Sequence, residues 1–171
     1  LHDDPDDSLT IAVVYRQASF ETHWTDQNSV IFGSGGFESG QTLRIGSFNN
    51  NTSRNLDAKI GGTEFDLIGE PKPIDTNEFQ VVVLRYTGDD PVNPSLSTLR
   101  VNGELVSQST ISASFGRLYL GRRDADSADS FYTEVLFYNR ALDDDEVLDL
   151  EVYLATKYEL NVSPLSYQAP R

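Results

Sequence analysis

Three groups of residues in this chain have types and spacings that could do chemistry. Asp124-Ala125-Asp126-Ser127-Ala128-Asp129 puts three carboxylates within six residues. Carboxylates so close can converge on a hard divalent cation while backbone carbonyls complete an oxygen shell, so calcium is the ion expected at Asp124, Asp126 and Asp129. The glycine and closing glutamate of an EF-hand loop are absent, so the site is not of that type. Trp24, the only tryptophan, stands among Thr22, His23, Thr25, Asp26, Gln27 and Asn28. A flat aromatic ring stacks on the C–H face of a sugar, and nearby amides and carboxylates bond its hydroxyls. Trp24, Asp26 and Asn28 are therefore candidate ligand-binding residues. Asn50, from the second polar run 47–54, joins them if the two loops are neighbours.

The third group is Glu64-Phe65-Asp66-Leu67-Ile68-Gly69-Glu70. On one strand Glu64, Asp66, Ile68 and Glu70 would share a face. A retaining glycosidase needs two carboxyl groups about 5.5 Å apart. At roughly 3.3 Å per residue Glu64 and Glu70 lie about 20 Å apart, too far to act on one bond. Nucleophilic catalysis fares no better, because His2 and His23 sit in polar segments and no Gly-x-Ser-x-Gly elbow exists. With no cysteine and two scattered histidines, zinc has no ligand set. No enzymatic activity is expected.

The bulk properties agree. The 171 residues suit one domain with a real core, and 38% hydrophobic residues fit a folded chain. A formal charge of −14 repels phosphate backbones and anionic bilayers, so neither nucleic acid nor membrane insertion is expected. The absence of cysteine excludes a disulfide framework, and no run reaches the ~20 apolar residues a spanning helix needs. With no Met anywhere, the chain reads as a processed piece of a longer protein.

These residues must be positioned by strands. Residues 1–7 read as a linker. Leu9, Ile11, Val13 and Tyr15 alternate as on a half-buried strand, and 79–86 is apolar on both faces, as in a strand covered from both sides. Short strands are predicted near 30–32, 42–47, 56–60, 64–68 and 118–120, and a long one over 131–138. Asn102-Gly103 between two such runs predicts a tight hairpin. One helix is predicted from Asp143 to about Tyr158. Asp143 and Glu146 supply a capping box, Leu142 staples onto Val147, and Val147, Leu150, Leu154 and Tyr158 form the apolar stripe. Residues 161–171 read as a tail.

Four segments carry a resemblance to a known family: SLTIAVVYR, EFQVVVLRYTGDD followed by STLRVNGELV, GRLYLGR, and FYTEVLFYNRALDDDEVLDLEVYLATKY. In this order they resemble the laminin-G-like branch of the concanavalin-A-like lectin and glucanase superfamily, in its bacterial extracellular form, over most of residues 8–160. The resemblance implies an all-β, two-sheet antiparallel jelly-roll sandwich with one C-terminal α-helix. The family also has a strand before SLTIAVVYR; either it is missing here or the tail takes its place. Fold alone names no ligand.

Residues and resemblance together point to a non-catalytic, lectin-like recognition module of a larger secreted or cell-surface protein. Its expected partners are a glycan or other cell-surface ligand and the neighbouring domains of the same chain. The rival readings are a structural spacer of an adhesin and a glycoside hydrolase or lyase on the same fold.

Overall fold

The computed structural model describes residues 8–19, 29–34, 43–47, 55–60, 63–68, 70–73, 77–88, 96–110, 118–120, 122–123, 126–127 and 129–161. In chain order the strands are β1 (Leu9–Ser19), β2 (Ser29–Ser34), β3 (Leu43–Ser47), β4 (Asn55–Ile60), β5 (Thr63–Glu64), β6 (Asp66–Leu67) and β7 (Lys72–Pro73). They continue with β8 (Gln80–Tyr86), β9 (Ser97–Val101), β10 (Glu104–Ser109), β11 (Leu118–Leu120), β12 (Arg122–Arg123), β13 (Asp126–Ser127) and β14 (Asp129–Tyr138), followed by α1 (Asp144–Lys157). One sheet runs β14-β1-β8-β9-β10-β6. The other runs β11-β2-β3-β4-β5 with β7 joined to β4, and β12 pairs with β13 alone. Every pairing is antiparallel, and the result is the expected jelly-roll sandwich with a single helix.

The central strands β1 and β8 of the first sheet are buried on both sides, which corrects the expectation that β1 is half-buried. Ile11, Val13 and Tyr15 face the second sheet and pack with Leu84, Tyr86 and Leu99. Ala12 and Val14, on the opposite face, are equally buried with Val81 and Val83 beneath α1, against Val147, Leu150 and Leu154. Small residues on this face let the helix lie close. Thr10 is buried there because its hydroxyl is used twice, donating to Arg140 O at 3.1 Å and accepting from Leu142 N at 2.9 Å.

The helix begins as its sequence requires. Asp143 Oδ1 accepts from Glu146 N at 2.9 Å, and Glu146 Oε2 accepts from Asp143 N at 3.0 Å, closing the capping box. Arg140 donates to both Glu146 oxygens at 2.6 Å. Those bonds, then the Asp143 amide, hold the Glu146 carboxyl down at about 2.

The segment 64–68 is not one strand. β5 belongs to the second sheet through β4 and β6 to the first through β10, and Phe65 between them is 4% exposed. Phe65 N donates to Ala58 O in one sheet and Ile68 N to Val106 O in the other. The Phe65 ring is buried where the chain changes sheets, so Glu64 and Asp66 belong to strands of different sheets rather than to one continuous strand.

Two outcomes are expected. Leu154→Ala removes a fully buried side chain and should cost about 2–5 kcal/mol by urea denaturation, while Val152→Ala, at a 51% exposed site, should change stability by less than about 0.5 kcal/mol. The Glu146 carboxyl should titrate in the folded protein with a midpoint of about 2 by NMR. Its folded value lies below the ordinary 4.5, so its contribution is present above pH 4.5 and is lost as the pH falls towards 2.

Candidate ligand-binding rim

One rim of the sandwich collects the chemistry. β8 enters the first sheet there through Asn77, Glu78, Phe79 and Gln80. The β9–β10 turn, Asn102-Gly103, docks beside it: Asn102 N donates to Val81 O at 2.8 Å and Asn102 Oδ1 accepts from Val81 N at 2.9 Å. Asn102 and Gly103 have φ of 50° and 83°, the pair of left-handed residues the Asn-Gly signal predicts. The third wall is the end of α1. Leu160 N donates to Ala155 O at 2.9 Å and Glu159 N to Thr156 O at 3.4 Å, a Schellman closure that sets Glu159, Leu160 and Asn161 against the sheet.

These walls enclose an open pocket of about 330 Å³ lined by Asn77, Glu78, Phe79, Gln80, Asn102, Glu159, Leu160 and Asn161. That volume is at the small end of the ~300–1,000 Å³ typical of ligand sites. The lining combines one aromatic ring and one leucine with amides and carboxylates. Some of these groups are already committed. Gln80 Oε1 accepts from Tyr15 OH at 3.0 Å, and Gln80 Nε2 donates to Pro73 O at 3.2 Å, tying the first sheet to β7 and so to β4 of the second. Gln80 and Asn102 therefore frame the pocket, while the exposed Asn77, Glu159 and Asn161 are its adjustable edge.

Asn77, Asn102 and Glu159 are the non-glycine residues with positive φ among the described residues, and all three line this pocket. Asn tolerates the left-handed region; Glu does not, at a cost of roughly 1–2 kcal/mol. Left-handed backbone thus gathers at this concavity, and the strain in it lies at Glu159.

A buried ion pair fixes α1 against the turn. Arg100 Nε donates to Glu151 Oε1 at 3.0 Å and Oε2 at 3.2 Å, and Arg100 Nη2 donates to Gly103 O at 2.5 Å. Burial pushes the Glu151 carboxyl above its ordinary value, against the pull of Arg100 and the Gly103 backbone.

Trp24, Asp26, Asn28, Asn50 and Asp124 lie outside the described residues, and Asp126 and Asp129 are described in backbone only. The strand ends that flank them are placed. Ser29, next after Asn28, pairs with Ser47, three residues before Asn50, so segments 20–28 and 48–54 leave from adjacent strand ends. Ser19, where segment 20–28 begins, pairs with Asp129. β1 reaches Ser19 past Tyr15, the partner of Gln80, at the same rim as the pocket. The acidic run 124–129 overlaps a short hairpin with Asp126 opposite Arg123, and Asp129 already belongs to β14. Among the described residues no three His, Cys, Asp or Glu side chains gather as a metal site.

The pocket itself was not visible in the sequence. Its walls come from positions near 78, 102 and 160, and only Asn102-Gly103 carried a signal.

A laminin-G-type family model, described as the concanavalin A-like lectin/glucanases superfamily, matches residues 2–148, and the chain belongs to that family. No curated protein matches it. Solved structures share the fold. The sialidase of Trypanosoma rangeli aligns at 16% identity and TM-score 0.59, over 89% of this chain and 23% of that one. Botulinum neurotoxin type C, whose cell entry depends on interaction with two ganglioside molecules, aligns at 16% and 0.56, over 86% and 36%. Domain 4 of AbnA, a GH43 extracellular arabinanase from Geobacillus stearothermophilus solved with arabinotriose, aligns at 15% and 0.54, over 88% and 68%. The chain thus spans less than two fifths of the first two. At these identities the likeness is one of fold, a fold that serves both binding domains and sialidases.

Glu159→Gly should stabilise the protein by about 1 kcal/mol in denaturant unfolding, because the relieved left-handed strain exceeds the added flexibility of glycine. No gain would show that contacts of the Glu159 side chain offset its backbone.

Proposed function

We propose that the chain is a non-catalytic recognition module that binds a glycan at this rim. The observation that carries the reading is the pocket of about 330 Å³ with Phe79, three asparagines and two glutamates around it, three of its lining residues being left-handed. A sugar needs that combination: an apolar ring for its C–H face, and amide and carboxylate groups for its hydroxyls. The segments bearing Trp24, Asp26, Asn28 and Asn50 leave from strand ends at the same rim, and in this reading they extend the site. The relatives by fold include a domain solved with an arabinose trisaccharide and a toxin that uses gangliosides, which supports a saccharide as the class of ligand.

Calcium at Asp124, Asp126 and Asp129 belongs to the same proposal, as an ion that orders the approach to β14 rather than one that reacts. The address proposed is secreted or cell-surface, within a longer protein whose other domains are its neighbours. An extracellular relative by fold supports that address, and no helix among the described residues is long and apolar enough to cross a membrane.

A glycan array is the test. Binding to a defined saccharide class without cleavage is expected, and Trp24→Ala, with its fold checked by circular dichroism, should weaken that binding by about tenfold, as the loss of one aromatic contact implies. A folded protein that binds nothing on the array would favour the spacer reading, and released product would favour a hydrolase or lyase. Calcium at 100 times its Kd should raise stability by about 2.7 kcal/mol, seen as a higher melting temperature in calcium than in chelator; identical melts would remove the ion.

A further inference from the structure

Arg16 is the one basic side chain among the described residues that has no acidic partner. Of the six Lys and Arg side chains described, Lys72, Arg85, Arg100, Arg140 and Lys157 each pair with a carboxylate of this chain. Arg16 instead lies between two rings, its guanidinium carbon 5.2 Å from the centre of Phe79 and 4.9 Å from that of Phe131. The register explains the placement. Arg16 is opposite Phe131 on β14, and it follows Tyr15, which is opposite Gln80, so Phe79 is its neighbour on the other side. Its Nε is buried without a partner, the side chain as a whole is half-buried, and no hydrogen bond joins its terminal nitrogens to the described residues.

Both rings lie within cation–π range of the guanidinium, and no carboxylate among the described residues takes its N–H donors. An arginine edge is a planar fork of N–H donors that fits a carboxylate with two parallel bonds. Flanking rings exclude water, which strengthens those bonds. Phe131 is 51% exposed, an aromatic surface kept open beside the charge. Phe79 is shared, covering Arg16 and lining the pocket.

We propose that Arg16, clamped between Phe79 and Phe131, seats a carboxylate, and that the glycan is an acidic one whose ring occupies the neighbouring pocket. This rests on the glycan reading above and narrows it to sugars that carry a carboxyl group. Uronates and sialates both do; their shared carboxylate is what Arg16 would recognise.

The experiment titrates the protein with trigalacturonate and its methyl ester, and with sialyllactose and lactose, following the Arg16 Nε–H resonance by NMR. In at least one pair the acid should bind about tenfold tighter than its neutral counterpart and shift that resonance, as two charge-assisted bonds imply. Which pair responds distinguishes the two sources. Arg16→Lys keeps the charge and the strand but loses the fork, and should erase the preference while circular dichroism stays unchanged. If acid and neutral forms bind alike, or Arg16→Lys binds the acid as well as the parent does, the carboxylate assignment is overturned while the glycan reading stands. If no saccharide binds, both fall.

Discussion

The rim depends on the buried pair between Arg100 and Glu151. Glu151 is 1% exposed on the inner face of α1, in a chain that already carries a net charge of −14. A lone carboxylate there would be costly, and removing one partner of such a pair typically costs about 3–5 kcal/mol. The pair does not simply add stability, since burial still pushes the Glu151 carboxyl above its ordinary value despite Arg100. What it fixes is registry. Arg100 holds Glu151 with one nitrogen and the carbonyl of Gly103 with another, so the middle of α1 and the Asn102-Gly103 turn share one anchor. The pocket lies between those two elements and keeps its shape through that anchor.

Around this anchor the first sheet plays two parts. Its inner face meets the second sheet through large side chains such as Tyr15, Leu84 and Tyr86. Its outer face meets α1 through Ala12, Val14, Val81 and Val83. Covering both faces leaves the ends and edges of the sheet for a ligand. At the edge, β14 is the outermost strand among the described residues, and its Val135 and Phe137 remain partly exposed although they pair with core residues Val13 and Ile11. At the end, the backbone turns through three left-handed residues to make a concavity.

Much of this frame was legible in the residues. The helix was, because its capping box and apolar stripe are local and mutually consistent. So were the Asn102-Gly103 turn and the doubly covered strand from 79 to 86. The double burial of β1 was hidden because its second face is made of Thr10, Ala12 and Val14, which are too small or too polar to read as core. The change of sheet at Phe65 was hidden because no glycine or proline marks it. The pocket was illegible for a different reason. Nothing in Glu159 announces a left-handed backbone where glycine is usual, and nothing in Arg16 announces that it lacks a carboxylate. Both facts arise only when distant segments meet.

Recognition of a sugar at this rim is tested most directly by amide hydrogen exchange in the presence of the saccharide with the strongest array signal. Slower exchange is expected across residues 77–81, 102–103 and 158–161, with segments 20–28 and 48–54 following. Protection confined to the opposite end of the sheet, around Tyr86, Ser97 and Leu142, or no change at any of these positions, would contradict it.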